Sequence, residues 1–266
     1  MARVSIIMGV YNEKNHGQVE EAVESILKQS YRDFEFIICD DGSPEEESRW
    51  LERCCRQDGR IRYCRLKRNR GLSAALNKCL EMCEGEYVAR MDADDISLPQ
   101  RLERQVDFLD SHPEYALVGC SVSFMEKGKI WGKRHPPECP EPKDFLKTSP
   151  FIHPTILIRT QVLKKLGGYS EAPMALRVED YDLFLRLYAA GERGYNLQDI
   201  LFYYREDRDS FGRRKYRYRI NEMRIRRKGF QELGICSGNM RYVIKPLVVG
   251  LVPVWLARRL RSRKFE

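Results

Sequence analysis

The segment EYVARMDADD, Glu86–Asp95, decides how the fold of this chain is interpreted. It begins as an apolar run typical of a buried strand and ends in a cluster of aspartates. Carboxylates crowded at a strand end repel one another, so a fold retains them only with a compensating charge. A divalent cation supplies that charge, because Mg²⁺ or Mn²⁺ binds one or two carboxylates together with substrate phosphates. The alternative, in which Asp94 or Asp95 caps a helix that begins near Leu98, remains open.

Strand-like and helix-like segments alternate on the N-terminal side of this segment. The predicted strands are Arg3–Val10, Phe34–Cys39 and Ile61–Leu66, and the predicted helices are Val19–Gln29, Glu45–Gln57 and Ser73–Cys83. Such alternation predicts an α/β fold with a mainly parallel central sheet and helices on both faces. Ligands of such sheets bind beyond the carboxyl ends of the strands, so the polar segments that follow the strands are candidate binding loops.

The C-terminal side is less regular. A cluster of prolines between Pro136 and Pro150 predicts a loop that covers one side of the site. The other predicted elements are helices over Pro99–Ser111 and Glu179–Ala190, strands over Tyr115–Phe124, Thr155–Ile158 and Asn196–Tyr204, and two basic helices over Gly212–Leu233 and Asn239–Arg261. The chain thus divides into a body, residues 1–205, and a basic, partly apolar helical extension, residues 206–266.

Charge and cysteine content narrow the class of protein. Residues 203–266 contain 18 Lys and Arg against 6 Asp and Glu, whereas residues 1–202 contain 29 against 33. The basic extension indicates either an anionic partner surface or a solvated helical face. None of the nine cysteines forms a CxxC pair, which predicts reduced thiols in a cytoplasmic protein. We expect no secretory signal, because the first residues lead directly into a strand.

The segment Val243–Ala257 is apolar but about fifteen residues long, and a spanning helix needs about twenty. Cations follow it from Arg258 onward. The pattern predicts an anchor lying on an anionic membrane surface, peripheral to the inner face of the plasma membrane. A helix packed on the body of the protein, or in a dimer interface, is the alternative.

Two further loops carry candidate ligands. In Asp40-Asp41-Gly42-Ser43, a carboxylate can accept a hydrogen bond from a nucleobase, although Asp-Gly is also an ordinary turn signal. In Asn69-Arg70-Gly71, backbone N–H groups ahead of a helix can lie near a phosphate or a base, although an entry loop would have the same sequence.

Five motifs occur in a characteristic order. They are Val4–Met8 with Tyr11-Asn12-Glu13, Ser25–Glu35, Asp40–Ser43, Asn69-x-Gly71-x₃-Ala75-x-Asn77, and Met91–Asp95. Together they resemble the inverting family 2 glycosyltransferases of the GT-A fold, many of which build bacterial surface polysaccharides. The resemblance covers roughly residues 3–205. It implies a single GT-A-type, Rossmann-like domain followed by C-terminal helices.

The resemblance also implies roles for particular residues. Asp41 would bind a uracil-like base with Tyr11 nearby, and Asp92 and Asp94 would form the metal-diphosphate site with Mn²⁺ or Mg²⁺. Asp180 in Val178–Leu183 matches the catalytic base of the acceptor-side motif, although first-turn acids also suit a helix dipole. The expected substrate-binding residues are Tyr11, Asp40, Asp41, Asn69, Gly71, Asp92, His153 and Glu179; for His153, a structural role is equally open.

The predicted reaction is transfer of a sugar from a nucleotide sugar, by default UDP-linked, to an acceptor hydroxyl that is possibly lipid-linked. A nucleotidyltransferase is an alternative, but Val10–Glu13 is not a glycine-rich, triphosphate-binding sequence. A non-enzymatic module that binds nucleic acid through Arg213–Lys228 is another. We expect no nucleic acid partner, because the carboxylate-rich body would repel phosphate in the absence of a metal.

Overall fold

A computed structural model describes residues 2–206 and 215–251. The strands are β1 (Val4–Val10), β2 (Phe34–Asp40), β3 (Ile61–Arg65), β4 (Tyr87–Arg90), β5 (Ile96–Ser97), β6 (Leu117–Glu126), β7 (Lys129–Arg134), β8 (Leu157–Arg159) and β9 (Gly194–Arg205). The helices are α1 (His16–Leu27), α2 (Glu45–Cys55), α3 (Leu72–Met82), α4 (Arg101–Ser111), α5 (Thr160–Lys165), α6 (Glu179–Ala189), α7 (Tyr216–Glu232) and α8 (Met240–Leu251).

The described strands join one sheet in the order β3-β2-β1-β4-β8-β6-β9-β5, with β7 paired to β6. β1 pairs in parallel with β2 and β4, and β2 pairs in parallel with β3. The long pair β6 and β9 is also parallel, whereas β8 runs antiparallel to β4 and β6. The predicted α/β fold is confirmed. Its parallel half brings the carboxyl ends of β1, β2 and β4 to one edge.

Helices cover both faces of the sheet. α1, α2 and α4 pack on one face through apolar side chains such as Val19 and Leu51. α3, α6 and α7 contribute side chains such as Leu76 to the core on the other face. A Cβ on Gly9 of β1 would lie 3.1 Å from the Cβ of Ala75 in α3. The missing side chain therefore sets how closely α3 approaches the sheet.

The hairpin of β6 and β7 is the main element that the sequence did not predict. Lys127 and Gly128 turn the chain with φ angles of 49° and 77°, and β7 pairs with β6. The β7 sequence is mostly polar and lacks the apolar alternation that predicts a strand. The short elements β5 and α5 were also unpredicted. The predicted strand Thr155–Ile158 corresponds to β8, but β8 begins at Leu157, and Thr155 lies in a 3₁₀ turn, His153–Thr155, ahead of it.

The C-terminal helices pack onto the body. A Cβ on Gly229 of α7 would lie 2.6 Å from Leu185 Cδ1 of α6, so the two helices are in close contact. Ile225, Phe230 and Val243 are buried in the same core. The predicted helices Gly212–Leu233 and Asn239–Arg261 correspond to α7 and α8, and their remaining parts, 212–214 and 252–261, lie outside the described residues. No helix in the described ranges is both long and apolar enough to cross a bilayer.

Candidate active site

Asp41, directly after β2, is the centre of a first group of site residues. Its carboxylate accepts three hydrogen bonds of 2.8 Å, from Arg70 N–H to Oδ1 and from Gly71 N–H and the Asn69 side-chain amide to Oδ2. A carboxylate has about four acceptor positions, so one on Oδ1 remains for a ligand. Burial raises the pKa of Asp41, against the opposing effect of the backbone donors. The structure thus brings together Asp41, Asn69 and Gly71.

Asp40 points into the protein. It is fully buried, and its oxygens accept hydrogen bonds from Ser43 N–H at 2.8 Å and from the Tyr63 hydroxyl at 3.1 Å. Gly42 has a φ of 73°, and a Cβ there would lie 2.3 Å from the carbonyl carbon of Arg68. In this geometry Asp40 holds the turn that presents Asp41, and Gly42 lets that turn touch the loop after β3.

The loop after β1 joins the same group. Asn12 has a φ of 47°, and its N–H donates to Ser43 Oγ at 2.9 Å. Tyr11 is 50% exposed and lies one residue from this contact. The loops after β1, β2 and β3 therefore form one hydrogen-bonded edge, with an aromatic ring accessible at its surface.

The aspartates after β4 occupy three different environments. The Arg90 guanidinium donates to Asp92 Oδ1 at 2.6 Å. Asp94 is exposed to solvent at its surface. Its pKa is nevertheless raised to about 6, because surrounding protein atoms desolvate its carboxylate and because Asp92 and Glu13 repel it. Asp95 is 1% exposed and accepts Arg205 N–H at 2.6 Å. Neither Asp94 nor Asp95 caps a helix, because α4 begins at Arg101 with Gln100 as its N-cap.

Arg90 is a residue of this site that the sequence analysis missed. Its side chain is 1% exposed, and besides Asp92 it donates to the carbonyl of Met91. Its Nε has no hydrogen-bond partner within the described residues. A buried cation thus supplies part of the compensating charge that the acidic loop requires. The signal was present in the sequence as a single arginine inside the apolar strand before the aspartates.

The acidic loop suits a divalent cation that also binds phosphate. No group of three or more His, Cys, Asp or Glu side chains in the described ranges is arranged to hold a metal ion. Asp94 and the Asp92 oxygen not bonded to Arg90 offer hard oxygen ligands, and one buried Asp95 oxygen has no partner within the described ranges. Mg²⁺ and Mn²⁺ take such ligands and complete their coordination with substrate phosphates. The residues present therefore fit the predicted cation.

Glu179 and Asp180 begin α6. No side chain caps this helix, and its first turn contains Glu179, Asp180 and Asp182, whose charges suit the positive end of the helix dipole. Burial raises the pKa of Glu179, and the neighbouring Asp180 carboxylate raises it further. Asp182 is instead bonded to Arg186 at 2.7 Å. Arg177, directly before the motif, has a φ of 68°, a strained conformation for a residue with a side chain.

His153 lies in the 3₁₀ turn ahead of β8. Its Nε2 is 3.0 Å from the Tyr169 hydroxyl. Burial lowers its pKa well below the ordinary value, and the nearby Arg90 guanidinium lowers it further. His153 is therefore neutral at physiological pH.

A cleft of about 760 Å³ joins the acidic loop to the start of α6. Its lining includes four predicted residues, Asp92, His153, Glu179 and Asp180. The lining also includes three cations, Arg134, Arg177 and Lys215, and several aromatic rings. The Asp41 group lies outside this lining, beside a second, basic cleft of about 660 Å³ lined by residues 65–68 and Arg70.

Comparison with known proteins gives a consistent result. The family model for glycosyl transferase family 2 matches residues 5–181. EpsE of Bacillus subtilis (strain 168), named as a glycosyltransferase, is 38% identical over 98% of this chain and 94% of its own. A UDP-Gal:alpha-D-GlcNAc-diphosphoundecaprenol beta-1,3-galactosyltransferase of Escherichia coli is 30% identical over 84% of this chain and 81% of its own.

Solved structures share the fold. S. aureus TarS 1–349 in complex with UDP-GlcNAc superposes with a TM-score of 0.69 at 20% identity, over 97% of this chain and 73% of that one. The mannosyltransferase PcManGT from Pyrobaculum calidifontis, in complex with GDP-Man and Mn²⁺, superposes with a TM-score of 0.62 at 21% identity, over 98% of this chain and 72% of that one. The predicted GT-A architecture is confirmed by these likenesses.

Proposed function

The chain belongs to glycosyl transferase family 2, and from that premise we propose an inverting, metal-dependent enzyme that transfers a sugar from a UDP-sugar to an acceptor hydroxyl. One observation carries the proposal: Asp92 of the acidic loop and the first turn of α6 line a single cleft, so a diphosphate-binding carboxylate and a candidate base can act on one donor. Family membership favours this activity over nucleotidyl transfer and over nucleic acid binding.

The donor's nucleoside would lie along the hydrogen-bonded edge formed by the loops after β1, β2 and β3. The remaining acceptor position on Asp41 suits a base N–H, and the exposed ring of Tyr11 can stack on a base. TarS was solved with UDP-GlcNAc and PcManGT with GDP-Man, which supports a nucleotide sugar. UDP is the preferred nucleotide because a single carboxylate acceptor matches the N3–H of uracil.

Asp94 and Asp92 would hold Mn²⁺ or Mg²⁺ together with the diphosphate. When bound, the cation neutralises the charge that develops on the departing nucleoside diphosphate. The Mn²⁺ in the PcManGT complex supports this assignment. Arg90 would keep Asp92 in place before the cation arrives, because its guanidinium already binds one Asp92 oxygen.

Asp180 would act as the base. Its carboxylate takes the acceptor hydroxyl proton while that oxygen bonds to the anomeric carbon, and the bond to the nucleoside diphosphate breaks on the opposite face of the sugar. One displacement inverts the configuration. Neutral His153 would orient the sugar or the diphosphate by hydrogen bonding. Glu179, with its raised pKa, would contribute a hydrogen bond to the substrate.

The acceptor would be a lipid-linked saccharide used in surface polysaccharide synthesis at the inner face of the plasma membrane. The relative from Escherichia coli is named for a diphosphoundecaprenol acceptor, which supports this substrate class. Arg134, Arg177 and Lys215 around the cleft suit an acceptor that carries phosphate.

Calorimetry with UDP, GDP and their sugars, with and without Mn²⁺, tests the donor and the metal. Wild type should bind a UDP-sugar in a Mn²⁺-dependent manner. The variant Asp94→Asn should lose that dependence, whereas the control Asp107→Asn, an exposed carboxylate on α4, should retain it. Failure to bind any nucleotide sugar, or equal Mn²⁺ dependence in both variants, contradicts the proposal.

A further inference from the structure

One face of α8 is apolar and exposed. Met240, Ile244, Val248 and Leu251 are 47%, 45%, 59% and 74% exposed. They recur every three or four residues, so they share one side of the helix. This set is called the α8 ridge below.

Packing fixes the direction in which the α8 ridge points. The opposite side of α8 is buried through Val243 and Pro246. Arg226 of α7 donates to the carbonyl of Tyr242, and Lys245 donates to the carbonyl of Lys147 at 2.8 Å. α8 is thus part of the body on one side and open on the other. The buried face agrees with the interpretation of this segment as a packed helix, and the exposed face is the one that a surface anchor would use.

The α8 ridge leads to the cleft. A Cβ on Gly250 would lie 3.0 Å from Tyr216 and Arg219, so the end of α8 lies against the start of α7. Lys215 and Tyr218, at that same end of α7, line the cleft. Tyr216 is itself 43% exposed, which extends the apolar surface toward the cleft mouth.

Both C-terminal helices carry exposed cations. Arg217, Arg224 and Arg227 on α7 and Arg241 on α8 are exposed. The acids of the two helices are Glu222, which pairs with Arg219 and Arg226, and Glu232, which lies 3.9 Å from Lys228. The sequence that follows α8 adds five cations and one acid, in Arg258–Glu266. The surface therefore combines an apolar ridge with a net positive charge.

We propose that this surface docks on an anionic lipid bilayer, with the α8 ridge lying at the boundary between headgroups and acyl chains. Amphipathic helices with cationic flanks bind membranes in this way. A second copy of the chain is a poorer occupant, because it would bring the cations of two surfaces together. Docking directs the cleft mouth toward the bilayer, where a lipid-linked acceptor would be found; this consequence rests on the proposed function, whereas the docking itself does not.

Vesicle flotation of the full chain tests the docking surface. Wild type should float with phosphatidylcholine vesicles containing roughly 30% phosphatidylglycerol and should remain unbound with phosphatidylcholine alone. Val248→Asp should lower the bound fraction about tenfold or more, because it places a charge on the α8 ridge. Ile130→Asp is the matched control, since Ile130 is 47% exposed on β7. This control should bind as wild type does.

Three outcomes would overturn the docking proposal. They are no binding of wild type to the anionic vesicles, wild-type binding by Val248→Asp, and a concentration-dependent dimer that Val248→Asp dissociates. Calorimetric donor binding by the same samples separates the two proposals. Floating protein that binds no nucleotide sugar contradicts the proposed function and leaves the docking intact.

Discussion

Two regions of the candidate site are constructed differently. The donor edge consists of the loops after β1, β2, β3 and β4, and the opposite side of the cleft consists of α6 and the turn before β8. On the donor edge, Asp41 follows β2 directly and Asp92 lies two residues after the end of β4, so the parallel strands on either side of β1 bring both carboxylates to the same end of the sheet. On the other side, His153 and Asp180 come from segments joined by long connections. The first arrangement follows from the topology of a parallel sheet, and the second requires the whole tertiary structure.

The two sides also differ in how their carboxylates are held. Asp41 accepts three hydrogen bonds, two of them from backbone N–H groups. Burial raises the pKa of Glu179 as it raises that of Asp41, but the next largest effect on Glu179 is repulsion from Asp180 rather than donation by backbone N–H groups. A carboxylate held by several donors suits binding, and crowded carboxylates suit proton transfer. We therefore expect changes on the donor edge to alter affinity and stability, and changes on the α6 side to alter turnover.

Asp180→Asn should give the largest effect. An amide cannot take the acceptor proton, so kcat should fall by about 10²–10⁴-fold while donor affinity by calorimetry stays unchanged. Asp182→Asn is the control, because Asp182 lies on the same helical turn but is bonded to Arg186. It should lower the melting temperature and spare kcat. A variant Asp180→Asn with more than about a tenth of wild-type kcat would remove the base assignment and with it the contrast between the two sides.

Arg90→Met should destabilise the protein by about 3 kcal/mol in the absence of metal, because it leaves the acidic loop without its buried cation. Mn²⁺ with UDP should restore more stability to this variant than to wild type. Arg101→Met is the matched control, since Arg101 is equally buried but donates to the neutral Gln105 side chain and the Arg90 carbonyl. Thermal unfolding with and without Mn²⁺ and UDP measures the destabilisation of each variant and its rescue. Equal rescue of the two variants would show that Arg90 has no special link to the acidic loop.

Asp41→Asn should cost about 1–3 kcal/mol of stability, because the asparagine NH₂ group would leave a backbone N–H without an acceptor. UDP affinity should fall about tenfold or more, with kcat at saturating donor little changed. Asp58→Asn also removes a carboxylate that accepts a backbone N–H, that of Arg60 at 2.9 Å, in a different loop. Similar destabilisation without loss of UDP affinity is expected there. Undiminished UDP binding by Asp41→Asn would break the assignment of the donor edge.

The smallest effect should be the pH dependence that Glu179 contributes to stability. A carboxyl group whose pKa is raised on folding favours the native state when protonated, so this contribution is lost as pH rises from about its ordinary value of 4.5 through the raised value. The free energy of unfolding of wild type should therefore fall relative to that of Glu179→Gln across this window and stay parallel above it. Urea titrations at a series of pH values measure the difference. If the free energies of unfolding of the two proteins run parallel from about pH 4 upward, that is, from near the ordinary carboxyl pKa, the crowding described for the α6 side is contradicted.

The sequence predicted the parts of the molecule that depend on local pattern. The parallel strands, the turn at Asp41 and the aspartates after β4 are visible because an apolar period ends in polar residues. The hairpin of β6 and β7 was missed because β7 is polar. Arg90 was missed because its role depends on what surrounds it in three dimensions. The two faces of α8 were not separable either, since only packing shows that Val243 is buried and Val248 exposed.

The close contact between Gly42 and the Arg68 backbone also restricts which mutations the chain can accept at position 42. Every single-nucleotide change that replaces a glycine either stops translation or introduces a residue with a Cβ. At position 42 that atom would fall 2.3 Å from the Arg68 carbonyl carbon, on a backbone that already has a positive φ. Neighbouring exposed positions such as Lys67 and Arg68 can exchange side chains without such a collision. In the turn that presents Asp41, position 42 therefore tolerates no substitution, whereas the exposed positions around it can vary between relatives.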